Sequence, residues 1–376
     1  MKLKNLSYRF FLSVLVSLLC ATPRSALAFC GGDGNPENPF LICSVLELDQ
    51  VRNFLKGSFK LNSNINLKNK KFLPIGSSQS TFSGHFDGNG NTISNWSFDD
   101  ITAKDVGLFA VVARGATIRN VKMKAIQLKA SGAVGAVAGY SEDQVTISNC
   151  TVQGKISGAD AGGIVGYGFG TYSKNTFSGA IEGSDSAGGI VGHLAMGGTI
   201  TYATMKSGSV SGQSAGGIVG RASALISNSG YLTKIARSSS AGKIFGSSQA
   251  GGLAGDVYAS QVSDSFSTAS VQGQHISGGL IGLLSKSKIL NSYSTGRVLA
   301  GGSASGGLVG QGWDSSITDS FWDLQTSKSE SSAGGKGLAT KEMKLQSSFP
   351  STWLRTTWIF NARKYPALIT SGNDAE

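Results

Sequence analysis

The chain has 376 residues, a formal net charge of +11 and 53 glycines, against six prolines and four cysteines. Glycine is about twice as frequent as in an average globular protein, which indicates a turn-rich, repetitive architecture. Beyond residue 28 no apolar run approaches the roughly 18 residues that a membrane-spanning helix needs. We therefore expect no integral membrane span.

The first 28 residues have the pattern of a secretory signal peptide. Three basic residues open the chain, namely Lys2, Lys4 and Arg9. The apolar run over 10–21 is too short to cross a bilayer, and Ala26-Leu27-Ala28 supplies a small-x-small cleavage pattern. We predict cleavage before Phe29 and export to the cell surface or the medium, with the periplasm as an alternative.

Export leaves a basic protein. Residues 1–28 carry four basic and no acidic side chains, so the formal charge falls from +11 to +7 (33 − 4 = 29 Lys and Arg against 22 Asp and Glu). Such a balance favours acidic partners. We expect an acidic polysaccharide or a cell-surface protein as partner and no nucleic acid. The alternative is that exposed lysines only keep the strands soluble.

Three cysteines remain after the predicted cleavage. Cys30 and Cys43 lie close together in a compartment where disulfides persist, so we predict a bridge that pins the new N-terminus. Cys150 lies in a repeat whose sister copies carry Ser or Val at the same place. This pattern favours a buried, inert thiol.

A short helix is predicted just after Cys43. Ser44 and Glu47 have the spacing of a capping box. Four apolar residues then share one helical face before Gly57, namely Val45, Leu48, Val51 and Leu55. Such a helix would cover an unpaired strand edge, which otherwise promotes aggregation.

A five-residue glycine motif recurs through the chain, with Gly162-Gly163-Ile164-Val165-Gly166 as its clearest copy. The second glycines of the copies are residues 107, 135, 163, 189, 217, 252, 279 and 307. Their steps are 28, 28, 26, 28, 35, 27 and 28 residues. The one long step predicts an extra loop around 231–240.

Two further apolar pieces follow each glycine motif. The first resembles Ile147-Ser148-Asn149, and the second resembles Gly154-Lys155-Ile156. Pieces this short, rich in β-branched residues, indicate strands rather than helices. We expect the polar residue that ends the first piece to bond to neighbouring turns down the stack. It recurs as Asn120, Asn149, Asn228 (in Ile226-Ser227-Asn228-Ser229), Asp264, Asn291 and Asp319.

The repeats predict an all-β chain folded as a right-handed parallel β-solenoid (β-helix). Units of this kind bury their apolar face only by stacking, and each coil of about 28 residues would rise by roughly 4.8 Å. No proline lies between Ile75 and Phe349, as an uninterrupted ladder of backbone N–H groups requires. The handedness follows from the general bias of parallel crossovers.

Caps are predicted at both ends of the solenoid. Residues 340–346 have the pattern of a short helix. Large aromatics near the C-terminus favour a small α/aromatic cap core, and they include Trp313, Trp322, Trp353 and Trp358. The predicted organisation is a signal peptide over 1–28, an N-terminal cap over 29–59, a solenoid over 60–325, and a C-terminal cap and tail over 326–376.

The combined motifs allow a comparison with known families. Besides the glycine motif, the segments 32–42, 82–93, 332–335 and 365–368 carry the likeness, which covers nearly all of 30–370. Together they resemble the GLUG-motif repeat family of bacterial secreted and surface proteins. The resemblance implies an adhesin-like role. Such repeats also occur beside immunoglobulin A-cleaving metallopeptidases, but their His-Glu-x-x-His motif is absent here, so no catalytic residue can be transferred.

No cofactor or metal site is predicted. A zinc site needs three or four closely placed ligands, and His85, His193 and His275 do not share a repeat position. The glycine motifs lack the Gly-Lys-Ser/Thr ending of phosphate loops.

The enzyme alternative is a polysaccharide-degrading β-solenoid. Hydrolysis would use two carboxylates some 5–9.5 Å apart. The acidic residues of the repeats include Asp160, Glu182, Asp185, Asp256 and Asp314. Asp160 and Asp185 precede their second glycine by three and four residues, so neighbouring coils bring them near each other. The alternative is that both only form turns.

Our sequence-based hypothesis is a non-catalytic adhesion or recognition protein. Lys155, Lys243 and Arg297 hold similar places before the third strand, which predicts a broken basic stripe or simply solvated strand edges. No catalytic, cofactor or metal residue is assigned. A passive component of an extracellular matrix or envelope is a third reading.

Overall fold

The structure, a computed structural model, describes residues 29–225, 232–299, 302–354 and 357–369. There the chain forms a parallel β-solenoid of about nine turns, spaced about 28 residues apart. The predicted fold class is therefore confirmed. The predicted signal peptide, residues 1–28, lies outside the described residues. Within the described part, no helix has the length and apolar character needed to cross a membrane.

Each regular coil contributes to three parallel sheets, which we call A, B and C in the order in which the chain enters them after the glycine motif. Sheet A has eight described strands and begins at the end of that motif. Its strands are Phe109–Val112, Ala138–Ser141, Val165–Gly168, Val191–Ala195, Val219–Ser223, Ala254–Tyr258, Ile281–Ser285 and Val309–Trp313.

Sheet B has eleven described strands, formed by the Ile-x-Asn pieces and their N-terminal continuation. Its strands are Phe40–Ile42, Ser58–Leu61, His85–Asp87, Thr117–Arg119, Thr146–Ser148, Thr171–Ser173, Thr199–Thr201, Thr233–Ala236, Ser260–Ser263, Lys288–Leu290 and Ser316–Thr318.

Sheet C has nineteen described strands because most coils break their third side into shorter pieces. In the middle of the solenoid the pieces merge into single strands of 12 or 13 residues. The strands are Ile65–Asn66, Thr92–Ser94, Ser97–Asp100, Asp105–Val106, Lys122–Ala130, Ala133–Gly135, Thr151–Gly162, Thr176–Gly188, Thr204–Gly216, Ser239–Ser240, Lys243–Gly251, Phe266–Ser267, Ser270–Gly273, Ile276–Gly278, Tyr293–Ser294, Val298–Leu299, Ala304–Gly306, Phe321–Asp323 and Lys336–Leu338.

The second glycine of each motif lies where neighbouring coils approach most closely. A Cβ atom on Gly163 would lie 2.1 Å from the carbonyl oxygen of Gly189, and one on Gly217 would lie 2.4 Å from that of Gly252. The residue that follows this glycine is fully buried, as Ile164, Ile190, Ile218, Leu253, Leu280 and Leu308. Each such burial contributes about 2 kcal/mol. Glycine therefore allows the close stacking that buries the aliphatic core.

The turn from sheet B to sheet C contains a residue with left-handed backbone, which Asn and Asp tolerate best among the residues other than glycine. Asn149 Nδ2 donates to Asn120 Oδ1 at 2.7 Å, and Asn120 Nδ2 donates to Asp87 Oδ1 at 2.9 Å. The predicted bonding between neighbouring turns is thus confirmed at these residues. The φ angles run from 47° to 57° for Asn120, Asn149, Lys174, Tyr202, Arg237, Asp264, Asn291 and Asp319.

The predicted loop over 231–240 is wrong. Strand Thr233–Ala236 pairs with Thr199–Thr201, and buried Ile235 lies opposite Ile200. The extra residues of the long step therefore precede sheet B, between Ser223 and Thr233. The predicted strand piece 226–229, with Asn228, lies outside the described residues, and Arg237 holds the turn position in that coil. The burial of Ile235, rather than the position of the Ile-x-Asn sequence, determines which residues of this coil pair in sheet B.

The N-terminus carries the predicted disulfide and helix. Cys30 and Cys43 are joined. Helix α1 (Val45–Gln50) continues into a 3₁₀ turn (Val51–Asn53). Ser44 Oγ accepts a hydrogen bond from the backbone N–H of Glu47 at 3.3 Å, and the Glu47 carboxylate accepts one from the Cys43 N–H at 2.5 Å, which completes a capping box one residue wider than usual.

The C-terminal segment packs a second apolar cluster around Trp353 and Trp358. Trp322 belongs to the main core and Trp313 is 52% exposed, so the prediction that these two residues lie in the cap core is wrong. The predicted helix over 340–346 is also wrong, because Leu345 is extended between two 3₁₀ turns. The helical pieces are α2 (Leu324–Ser327) and the 3₁₀ turns Glu342–Lys344, Gln346–Ser348 and Ser351–Leu354, and the strands Trp358–Ile359 and Ala367–Leu368 pair antiparallel.

We expect Gly217→Ala to destabilise the solenoid by about 2 kcal/mol or more, since its Cβ would lie 2.4 Å from Gly252 O and 2.5 Å from Ser240 Cβ. Gly312→Ala is the matched control, because the nearest atom to its Cβ is 3.5 Å away. That control should change stability by less than about 1 kcal/mol. Urea midpoints of residues 29–376 measure both, and equal shifts would contradict the role given to the glycine stack.

Candidate functional site

The residue directly after the glycine motif is partly exposed on sheet A, while the residues on either side of it are buried. In five consecutive coils these residues are in-register strand partners. At about 4.8 Å per coil they extend over about 19 Å along the solenoid. We call Tyr140, Tyr167, His193, Arg221 and Asp256 the sheet A column.

Aromatic rings form one end of the sheet A column. Tyr140 and Tyr167 stack with their ring centroids 5.7 Å apart and their planes within 5° of parallel. Phe169 contacts both rings edge-on, at 5.7 and 5.4 Å. The His193 ring follows at 4.6 Å from Tyr167. Four rings thus form a continuous, partly exposed surface.

Charged groups form the other end. The Arg221 guanidinium contacts both carboxylate oxygens of Asp185, at 3.3 and 3.4 Å. Its Nε lies 3.6 Å from Asp256 Oδ2. His193 Nε2 is 3.0 Å from Ser223 Oγ. Arg221 therefore joins an aspartate from the end of sheet C to an aspartate of the next coil of sheet A.

Asp160 lies beside this network at the end of sheet C. A Cβ on Gly192 would lie 2.8 Å from the Asp160 carbonyl carbon, so the Asp160 backbone approaches the strand that carries His193. In-register Ser186 pairs with Asp160, and Asp185 directly precedes Ser186. Asp160 Oδ1 is buried beside the buried Ser186 side chain, whose hydroxyl group lowers the pKa of the Asp160 carboxyl.

Burial shifts the protonation of several groups at this site. It raises the pKa of Asp160 to about 6, and the nearby Asp185 charge adds to the effect. Burial lowers the pKa of His193 to about 4, assisted by Arg221. Burial also raises the pKa of Asp256, and Arg221 opposes that rise. The site thus combines a neutral imidazole at neutral pH with a carboxyl that holds its proton in mild acid.

Of the acidic residues proposed from sequence, the structure brings Asp160, Asp185 and Asp256 together around Arg221. Glu182 faces elsewhere on sheet C, paired with Lys155 at 2.7 Å. Asp314 lies in an exposed turn with φ 47°. Three of the five therefore share one surface.

The histidines and the basic residues take the relative positions expected of them. His85 lies on sheet B, His193 on sheet A, and exposed His275 just before a sheet C strand, so they share no column. Lys155 and Lys243 do share a sheet C column, separated by Ala180 and Ser209. Arg297 continues that column two coils beyond Lys243. Its neighbour Val298 pairs with Val271, and Val271 pairs with Ile244, the neighbour of Lys243. The basic stripe is present but interrupted.

Cys150 is fully buried, as predicted. Burial raises the pKa of its thiol to about 12, so the nucleophilic thiolate is suppressed. Buried polar side chains accept the backbone N–H of this turn position in several coils, as Asn175 Oδ1 does for Cys150 and Ser265 Oγ does for Ser238. The thiol thus occupies a structural position.

One group of potential metal ligands lies among the described residues, formed by Cys30, Cys43 and Glu47 within 4.8 Å of one another. Its two sulfur atoms are joined in the disulfide, and Glu47 accepts the Cys43 N–H. These bonds explain why the three residues lie together.

Sequence reasoning missed Tyr140, Tyr167 and Arg221. Their signal was a fixed place in the repeat, directly after the last glycine of the motif. Because the residue type changes from coil to coil at that place, a search for recurring residues passes over it.

Comparisons with known proteins connect one segment of the N-terminal half to a family model. Residues 46–154 match the N-terminal region of M26 IgA1-specific metallo-endopeptidases. A crystal structure of a candidate immunoglobulin A1 protease from Bacteroides ovatus superposes with a TM-score of 0.50 over 90% of this chain and 94% of that one, at 18% identity. At that identity the likeness concerns the fold alone.

Two curated proteins match shorter segments. A protein of Evansella cellulosilytica, provisionally described as a Gly-rich membrane protein, is 34% identical over 122 residues. Halomucin of Haloquadratum walsbyi is 32% identical over 151 residues. The matches cover 30% and 36% of this chain but only 14% and 2% of those proteins. The chain therefore corresponds to a small part of each.

We expect the free energy of unfolding to fall more steeply between pH 7 and pH 4 in Asp160→Asn than in the parent. The folded-state pKa of His193 is below its unfolded value, so the fold loses stability as pH falls from about 6.5 to 4. The folded-state pKa of Asp160 is above its unfolded value, so it adds stability over about pH 6 to 4 and offsets that loss. Urea unfolding at pH 7 and pH 4 tests this, with Glu182→Gln as control. An unchanged pH dependence would contradict the assignment.

Proposed function

We propose that this chain is a secreted or surface-exposed protein of the GLUG-repeat type that acts in adhesion or recognition. We further propose that the sheet A column binds an extended carbohydrate chain. The observation that carries this proposal is the in-register run of aromatic, imidazole, guanidinium and carboxylate side chains over five coils. A linear ligand along the solenoid axis would meet all five side chains in turn.

The chemistry of the column supports a sugar ligand. Tyr140 and Tyr167 stack on each other, so a sugar ring would meet the exposed edges of these rings, and their hydroxyl groups could form hydrogen bonds with it. Arg221 and Asp256 offer donors and acceptors to hydroxyl groups. Because Arg221 already holds the Asp185 and Asp256 carboxylates, the polar end needs little reorganisation when a ligand binds.

The charge of the column narrows the ligand class. Arg221 and Asp256 of the column lie beside Asp160 and Asp185 of sheet C, so this end carries a net negative charge, which disfavours a polyanion there. We therefore propose a chain of neutral or amino sugars for the sheet A column. An acidic polysaccharide fits the sheet C column of Lys155, Lys243 and Arg297 better, although Glu182 neutralises Lys155.

Three observations support an extracellular location. The first 28 residues have the signal-peptide pattern. Cys30 and Cys43 form a disulfide, which persists in oxidising compartments. The matched family model covers the N-terminal region of an IgA1-specific endopeptidase, in keeping with a secreted or surface repeat domain.

Binding of residues 29–376 to an array of neutral, amino-sugar and anionic glycans, with immunoglobulin A1 included, tests the proposal. We expect retention on a neutral or amino-sugar class and about tenfold weaker binding after Tyr167→Ala, because loss of one stacked ring costs about 1.4 kcal/mol.

Tyr202→Ala is the matched control, since Tyr202 is a partly exposed tyrosine at the turn between sheets B and C. That variant should bind like the parent. Binding to immunoglobulin A1 alone would favour a protein partner. Self-association without retention of any glycan would favour a passive structural component, and either result would contradict the carbohydrate proposal.

A further inference from the structure

A second candidate binding surface lies at the N-terminal end of sheet B, on a different face from the sheet A column. The loop over 31–39 meets the outer face of the first sheet B strands there, and the two enclose a cleft of about 440 Å³. Small-ligand sites commonly have volumes of roughly 300–1,000 Å³. We call this space the sheet B cleft. Its lining includes Pro36 and Pro39 of the loop and outward side chains of three strands.

The loop that forms one wall of the cleft is held in place. The Cys30–Cys43 disulfide closes it. Within the loop, the backbone N–H of Gly34 donates to the carbonyl oxygen of Asn38 at 3.1 Å. The Gly34 carbonyl oxygen accepts the N–H of Ser58 at 2.9 Å, which joins the loop to sheet B. The two proline rings therefore form a wall that needs little ordering when a ligand binds.

Three charged side chains form a row on the floor of the cleft. Lys60, Asp87 and Arg119 are in-register partners on successive strands of sheet B, with Asp87 in the middle. The preceding residues Phe59 and Phe86 are buried in the core, so the charged side chains point outward. Successive strands are about 4.8 Å apart. Two cations thus lie on either side of one carboxylate.

The central carboxylate already holds three hydrogen bonds. Asp87 Oδ2 accepts from Arg119 Nε at 2.9 Å. Asp87 Oδ1 accepts from Asn120 Nδ2 at 2.9 Å and from the backbone N–H of Asn89 at 2.8 Å. Burial opposes ionisation, but these bonds outweigh it and hold the pKa of Asp87 below its ordinary value. Asp87 therefore stays ionised and keeps its orientation.

This arrangement leaves positive charge available to a ligand. The ion pair of Arg119 uses only Nε, so both terminal amino groups of the guanidinium remain open in the described structure. Lys60 has no ion-pair partner among the described residues. Two cations against one carboxylate give the lining a net charge of +1 (2 − 1) with His85 neutral. His85 Nδ1 lies 2.7 Å from Thr117 Oγ1, so its Nε2 remains for a ligand.

The loop carries two acidic residues of its own, Asp33 and Glu37, and both lie outside the lining of the cleft. Asp33 Oδ1 accepts the backbone N–H of Asn35 at 3.0 Å, so this carboxylate bonds within the loop. Glu37 is exposed to solvent, where salt screens its charge. The positive charge on the floor of the cleft therefore remains the nearest charge to a bound ligand.

We propose that the sheet B cleft binds a uronic acid unit of an acidic saccharide through its carboxylate. The two terminal amino groups of Arg119 match the two oxygens of a carboxylate, and Lys60 adds a second positive charge. The rings of Pro36 and Pro39 give apolar contact to the C–H groups of the sugar. This site is independent of the sheet A column and takes a ligand of the opposite charge class.

Calorimetric binding of tetragalacturonate to residues 29–376 tests the proposal. Fully methyl-esterified tetragalacturonate is the matched control ligand, because it keeps the sugar rings and loses the carboxylate charges. We expect the acid to bind at least about tenfold more tightly than the ester, since charge-assisted hydrogen bonds are roughly twice as strong as neutral ones. Added salt should weaken binding of the acid more than binding of the ester.

Four variants locate the site. Lys60→Gln removes a charge without an ion-pair partner and should weaken binding about fivefold. Arg119→Lys keeps the charge but loses the planar fork and should weaken binding about tenfold. Lys288→Gln, farther along sheet B, and Lys243→Gln, in the sheet C column, are matched controls that should stay within about twofold of the parent. Urea midpoints check that each variant is folded.

Each remaining outcome would overturn a stated part of the proposal. Equal binding of the acid and its ester would overturn recognition by charge. Parent-like binding by both Lys60→Gln and Arg119→Lys would overturn the location. Binding of a sulfated tetrasaccharide in place of tetragalacturonate would overturn the choice of carboxylate. Absence of binding to either anionic chain would overturn the whole proposal, while the sheet A column would still be judged on its neutral and amino sugars.

Discussion

Close approach of successive coils at the glycine motif is the constraint on which the remaining structure depends. The carbonyl oxygen of one coil's second glycine occupies the space that a Cβ atom of the neighbouring glycine would need. The chain can therefore turn tightly out of sheet C, bury the following Ile or Leu, and start sheet A in register with the coil below. Sheet spacing, core burial and the in-register columns all follow from that one approach.

The same constraint explains why the aromatic and charged side chains of the candidate site lie at the start of sheet A. The motif holds the first strand residues inward, and the next residue, such as Tyr167 or Arg221, is the first that can reach solvent. Because the last glycine of the motif packs on the end of sheet C, this residue lies beside a residue of sheet C, as His193 does beside Asp160. Two sheets thus contribute side chains to one surface without any loop.

The fold was predictable because its determinants recur: the glycines, the buried aliphatic residues and the Asn or Asp turns repeat in most coils. The site was only partly predictable, since Asp160 and Asp185 could be paired from their offsets but Tyr140, Tyr167 and Arg221 do not repeat. In one coil the local sequence pattern did not indicate the register of the sheet B strand, which is determined by side-chain burial. The Ile-x-Asn piece at 226–229 suggested a regular strand, yet buried Ile235 sets the register nine residues later.

The sheet A column separates the information for folding from the information for binding. Each position after the motif occupies one fixed row, and its side chain is not needed for the stack that holds the coils together. Single substitutions there would alter one row of the surface and its contacts with the adjacent rows, while the buried stack stays intact. Duplication of a coil would lengthen the surface by one strand spacing. A solenoid of this kind can therefore acquire new specificities by gradual change along one line of residues.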